Sequence, residues 1–245
     1  MRVRTLAVAG LTTLTLAACG STTSGTASEA TASASASSSA PTTPAGNGVA
    51  AKTGQQVAAD AADALVRAGA VHMVGTGTSD GQSLAVDLHL QGADVSGTVT
   101  MAGQPLEIIT TAGQAYAKAP AAFWKAQQVP ASIARKLDGR WVLLPAEAAS
   151  SFGEFSLTKL AAQLRTPDGA TWKPEVVKGS AASGDVVVIT DSDGSTTQVA
   201  ATGEPYPLQS TDKGSDAGTV TLSDFGTKVA ITAPPAPLDL QQLGA

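Results

Sequence analysis

The sequence predicts an α+β domain: a long, curved antiparallel sheet, left unclosed as a half-barrel and covered on its concave face by a few short helices. Three observations predict it. Most of the chain beyond residue 70 alternates apolar and polar residues with a period of two between turn residues, the pattern of half-buried strands. Helical periodicity is confined to a few short stretches, so a large sheet has little to cover it. Glycines stand inside strand patterns at Gly75, Gly77 and Gly97, which suits strong curvature or the close approach of another group.

One helix opens the domain. Thr53 and Gln56 form a capping-box pair, and Val57, Ala61, Ala64, Leu65 and Ala68 repeat on one face until Gly69 stops it. The period then changes to two. Leu84, Val86, Leu88 and Leu90 alternate with Ala85, Asp87, His89 and Gln91, and Val95, Val99 and Met101 alternate with polar residues. Turn residues separate these runs at Ser79-Asp80-Gly81, Gln91-Gly92-Ala93, Ala102-Gly103 and Ala112-Gly113, so the runs form an antiparallel meander with one apolar face.

Between residues 120 and 165 the pattern breaks. Pro120, Pro130 and Pro145 punctuate short helical pieces, with a strand expected from Arg140 to Leu144. Ser156 caps a helix whose stripe is Leu157, Leu160, Ala161 and Leu164. Strands are expected again at Glu175–Lys178, Asp185–Thr190, Thr196–Thr202, Tyr206–Ser210, Thr219–Ser223 and Lys228–Thr232. Pro205 and Pro207 place their stretch at a sheet edge or just before the sheet is entered. No repeat of fixed period and no second linker divide this body, taken as residues 51–240.

The N-terminus has a different character. Arg2 and Arg4 precede an uncharged, mostly apolar stretch from Thr5 to Leu16, too short to span a bilayer with ease and ending in small residues, as an export signal over residues 1–18 does. Leu16-Ala17-Ala18-Cys19 resembles the lipobox of bacterial lipoproteins. The resemblance implies cleavage before Cys19, a diacylglycerol on its thiol, palmitate-type acylation, and anchoring at the extracytoplasmic face of the cell membrane. Two or three acyl chains, at about 0.8 kcal/mol per buried methylene, hold stably where one is marginal. Residues 19–50 then read as the lipidated cysteine and a tether of Ser, Thr, Ala, Gly and Pro with Glu29 as its lone charge, too polar to order itself and spanning roughly 30 Å as a coil. Its composition suits either O-glycosylation or a bare spacer.

Charge and composition exclude several functions. The 245-residue chain has a net charge of -5, and beyond Ala18 it carries 13 basic against 20 acidic groups, so it repels nucleic-acid phosphates. A single cysteine leaves no intrachain disulfide and no multi-cysteine metal site. His89 and Asp87 share a polar strand face without a G-x-S-x-G serine, and read as solvated side chains. His72 reads the same way. Asp191-Ser192-Asp193-Gly194-Ser195 resembles the start of a calcium loop, but no glutamate closes it, and a hairpin turn is the better reading. Gly75-Thr76-Gly77 lacks the third glycine and the following helix of a dinucleotide fingerprint. No catalytic residue, metal site or cofactor is expected, and the protein is not expected to be an enzyme.

The order of features in the body resembles a family. Tyr116-Ala117-Lys118, Trp124, Gly139-Arg140-Trp141-Val142, a Leu-rich helix, Pro205-Tyr206-Pro207 and Ser223-Asp224-Phe225-Gly226 follow a lipobox, a polar tether, a helix and a meander. That order is similar to the actinobacterial lipoproteins of the LppX/LprAFG group, whose fold is the LolA/LolB-like half-barrel, over residues 55–235. The resemblance implies a cavity between concave sheet and helices that takes the acyl chains of a lipid or glycolipid, for transport or presentation in the envelope. Leu84, Val86, Leu88, Val99 and Ile108 are the candidate lining. Trp124 and Trp141 are either core or the rim of such a cavity. The competing reading is a surface-anchored, non-enzymatic binding or assembly module without lipid cargo. In either case a monomer is expected.

Overall fold

The computed structural model describes residues 46–79, 81–146, 155–167, 169–214, 217–240 and 242. The expected signal, Cys19 and the tether up to residue 45 lie outside the described residues. Residues 46–50, ahead of the expected body, also pack against it. Gly46 bridges to Thr202, Asn47 Nδ2 donates to the Ala200 carbonyl at 2.9 Å, and Val49 is buried in a 3-10 turn (Val49–Ala51).

The alternating segments become strands. β1 (Val71–Ser79), β2 (Gln82–Gln91), β3 (Asp94–Met101), β4 (Gln104–Thr111) and β5 (Gln114–Lys118) form the antiparallel meander. Two of its turns show why the sequence writes Ala-Gly there. Ala102-Gly103 has φ of 49° and 78° and Ala112-Gly113 has 51° and 75°, the positive pair that a two-residue turn needs to match strand twist. β6 (Trp141–Leu143), β7 (Trp172–Ala181), β8 (Gly184–Asp191), β9 (Thr196–Ala200), β10 (Pro207–Asp212), β11 (Gly218–Ser223) and β12 (Leu238–Asp239) complete the strands.

Among the described residues these twelve strands form one sheet in the order β12-β6-β5-β4-β3-β2-β1-β11-β10-β9-β8-β7. Only β12 with β6 is parallel. β12 and β7 are free edges, so the sheet is an unclosed half-barrel. β1 joins the two wings, pairing with β2 on one side and β11 on the other.

One expectation is corrected. Lys228–Thr232 forms no strand: both neighbours of β11 are already taken where the chain leaves it, so the segment crosses the sheet end instead. There the Gly226 amide donates to the Ala70 carbonyl and the Val229 amide to Gln91 Oε1. Of the two placings expected for Pro205 and Pro207, entry to the sheet is the one found: β10 is an interior strand, Pro205 precedes it and Pro207 is its first residue, where a missing N–H is tolerated.

Four helices are described. In α1 (Gly54–Ala68) Thr53 and Gln56 close the expected capping box, and Gly69 ends it at φ 68°. α4 (Leu157–Arg165) starts on the Ser156 cap. These two pack together and α1 packs on β7 and β8, tied by Gln55 Nε2 to the Arg165 carbonyl, the Arg165–Asp63 ion pair, and Trp172 Nε1 to the Leu164 carbonyl at 2.8 Å. α2 (Ala121–Ala126) and α3 (Ala131–Leu137) form a separate hairpin between β5 and β6, with α2 lying on β4. One continuous apolar core runs beneath both pairs.

Candidate functional site: the concave face and its rim

Strand register assembles the apolar face row by row. Val86, Val99 and Leu106 are opposite one another across β2, β3 and β4; the next row is Leu88, Gly97, Ile108, Ala117 and Val142. Gly97 is required by its neighbours. At φ 148° a Cβ there would sit 2.1 Å from the Asp87 carbonyl oxygen, so only glycine lets β2 and β3 approach this closely.

The face is closed at one end and open at the other. At the closed end the Leu157 amide donates to the Gly92 carbonyl at 3.2 Å, and the segment after β11 crosses Ala70 and Gln91. Leu88 beneath this cover is 0% exposed. Toward the β1–β2 and β3–β4 turns the same face emerges: Val86 is 9% exposed, Leu84 is half-buried, and Met101, directly opposite Leu84, is 42% exposed. On β1 the parallel change runs from buried Met73 to half-buried Gly77.

The seven residues expected to line a cavity therefore separate. Leu84 is at the rim, Val86 and Val99 one row deeper, and Leu88 and Ile108 in the packed interior. Trp124 is buried on α2, its Nε1 donating to the Ala119 carbonyl at 3.2 Å and its ring edge-on to Phe123, so it is core. Trp141 faces the other way. It is opposite Lys118, whose ammonium stands 5.8 Å over the indole and pairs with Glu107, while the next residue, Val142, turns into the core. Strand alternation thus puts Trp141 on the convex face and removes it from the lining. Met101 belongs at the rim although sequence reasoning did not select it; counting outward from the Gly92-Ala93 turn between β2 and β3 identifies its partner as Leu84.

Two grooves lie elsewhere on the surface. One of about 530 Å³ runs between Gly46–Ala51 and the ends of β7 and β8 at Lys178, Gly179 and Val187. The other, about 230 Å³, is bounded by Gly113, Leu143, Leu144 and Asp239. None of the seven residues borders either one.

The convex face carries a polar cluster that the sequence only half revealed. Register sets His72 opposite His89 and Val74 opposite Asp87. His72 Nε2 is 2.7 Å from Asp87 Oδ1, its Nδ1 is 3.5 Å from Asp224 Oδ2, and its ring stacks on His89 at 4.4 Å. With both nitrogens turned to carboxylates, His72 has none left to act as base for a nucleophile. Among the described residues no group of His, Cys, Asp and Glu is arranged to hold a metal ion. The Asp191 segment is the expected turn: Asp191 Oδ1 accepts from the amides of Asp193 at 3.0 Å and Ser195 at 2.9 Å, between β8 and β9.

Two segments singled out in the sequence come together. Tyr206 and Phe225 stack with centroids 4.1 Å apart and rings nearly parallel, joining the β9–β10 connection to the crossing segment after β11.

Comparison with known proteins places this architecture. No protein-family model matches the chain, and no curated protein matches it in sequence. Solved structures do. LprF from Mycobacterium bovis superposes with a TM-score of 0.51 at 16% identity, over 75% of this chain and 99% of that one. The lipoprotein LppX from Mycobacterium tuberculosis gives 0.48 at 15% identity, over 73% and 98%. An uncharacterised conserved protein from Thermus thermophilus gives 0.38 at 8% identity, over 76% and 97%. At these identities the likeness is one of fold: the chain has the α+β half-barrel of LprF, as the family resemblance in its sequence implies.

Proposed function

We propose that this is a lipid-anchored protein of the cell envelope whose half-barrel takes up acyl chains of a lipid or glycolipid at the rim of its concave face. The observation that carries the reading is the graded opening of that face, from Leu88 at 0% to Met101 at 42% exposed, in a sheet covered by two separate helix pairs. Apolar rows that run out of a core into solvent form a mouth, and an aliphatic chain laid along Leu84, Met101, Val86 and Val99 continues the core outward. The lipobox at Cys19 sets the body beside the membrane that supplies such chains, and the shared LprF fold agrees with the family reading. Chemistry on the bound molecule is not part of this role, since the His72 cluster is on the opposite face.

A fluorescent fatty-acyl probe added to delipidated protein tests it. Saturable binding, competed by unlabelled phospholipid, is expected. Absence of binding contradicts it and favours the binding or assembly module, to which the complete burial of Leu88, Leu90 and Ile108 gives specific support.

A further inference from the structure

We propose that the α2–α3 hairpin is a membrane-docking surface that recognises anionic phospholipid. The observation is a charge asymmetry. Residues 119–140 hold Lys125, Arg135, Lys136 and Arg140 against the single acid Asp138, a local balance of +3 in a chain that is otherwise acidic. All four cations are exposed, and none forms an ion pair with a described residue. Elsewhere Lys52, Arg67, Lys118 and Arg165 each neutralise a neighbouring carboxylate, and the other lysines unpaired among the described residues, Lys173, Lys178, Lys213 and Lys228, are spread over separate segments rather than gathered on one hairpin. Asp138 is itself engaged, its Oδ1 accepting from the Ala121 amide at 2.7 Å.

The hairpin is built to present these charges. The Gly139 amide donates to the Ala119 carbonyl at 3.0 Å, which staples its two ends at one point beside the sheet. Buried Trp124, Ala134 and Leu137 fix its inner face to the core. Phe123, Val129 and Ile133 pack against that core yet stay only half-buried, so the hairpin exposes some apolar surface as well as its cations, the combination that binds the headgroup–acyl boundary. Its location fits as well. β5 ends at Lys118, opposite Glu107, a few residues from the β3–β4 turn, so the hairpin leaves the sheet on the side of the open rim. Docking there sets the rim at the lipid surface. The docking claim stands on the charge pattern alone; the acyl-binding reading supplies its purpose.

The test uses the mature chain, residues 19–245, with Cys19→Ser so that no anchor contributes. Binding to phosphatidylcholine vesicles with and without phosphatidylglycerol is measured by flotation. Binding that needs phosphatidylglycerol and weakens with salt is expected. Lys125→Gln, Arg135→Gln, Lys136→Gln and Arg140→Gln should each weaken it by roughly fivefold, and the quadruple variant should abolish it. Lys173→Gln and Lys178→Gln on β7 should leave it unchanged. Equal binding to pure phosphatidylcholine, no binding to either vesicle, or single variants that bind like the parent overturn the proposal, and the single variants decide the outcome if the quadruple one melts early. Lipid extracted from the parent reports on the acyl site separately: flotation without retained lipid shows that the acyl reading failed while docking stands, and retained lipid without flotation shows the reverse.

Discussion

Leu84 of β2 and Met101 of β3 stand directly opposite each other at the last apolar row of the concave face, where the half-barrel meets solvent. Two rows deeper, Leu88 of the same strand is fully buried. On the proposed function, one strand carries both a ligand-facing position and a structural one, and substitution separates them. Leu84→Glu should cost at most about 1 kcal/mol of stability, since a half-buried rim residue can turn its charge outward, yet it should sharply reduce acyl-probe affinity. Leu88→Ala should cost about 2–5 kcal/mol through the cavity it leaves. Denaturant melts of both variants, paired with probe titration, check this.

Gly97 gives a second prediction. A methyl group there meets the Asp87 carbonyl at 2.1 Å in a backbone conformation that side chains rarely adopt. Gly97→Ala should therefore destabilise by about 3 kcal/mol or more. Gly103→Ala meets no atom within 4 Å and carries only the cost of its φ of 78°, about 1 kcal/mol. Equal melting temperatures for the two variants would show that β2 and β3 are not in this close approach.

Asp212 supplies a pH dependence. Burial pushes its carboxyl above the ordinary value, and nearby Asp191 adds to the shift. The folded protein thus holds this proton more tightly than the unfolded chain, so the group favours folding at acid pH and loses that contribution as pH rises through its folded value. Asp212→Asn should raise the melting temperature slightly at pH 7 and have no effect at pH 3. The gain is small because the residue keeps much solvent contact. A variant that melts lower at pH 7 than the parent would reverse the sign.

The anchor is tested independently of the fold. Cys19→Ala should leave the protein unprocessed or release it from the membrane fraction, because the chain's one thiol is the acceptor that lipobox chemistry requires. Fractionation and processing like the parent would remove the anchor from the account.

Much of the fold was legible because its signals are local. The Thr53–Gln56 box, the Ala-Gly turns and the two-residue alternation each act within a few residues, and each recurs as written. What was not legible depends on neighbours distant in sequence. The alternation in Lys228–Thr232 is as good as that of a strand, but no free edge lies beside it. Trp141 reads as either core or cavity rim until β5 pairing fixes which way β6 faces. The His72–Asp87 contact could have been counted outward from the Ser79-Asp80-Gly81 turn, whereas the approach of Asp224 required the course of β11. The division of the candidate lining into rim and core is likewise tertiary: Leu84 and Leu88 are equivalent in pattern and differ only in what covers them.

Native mass spectrometry of the gently purified mature chain, with Cys19→Ser to remove anchor lipid, tests the central claim most directly. The account predicts non-covalently retained acyl lipid in this protein and its loss on Leu84→Glu with the fold intact. No lipid in the parent, or the same lipid in folded Leu84→Glu, would contradict it.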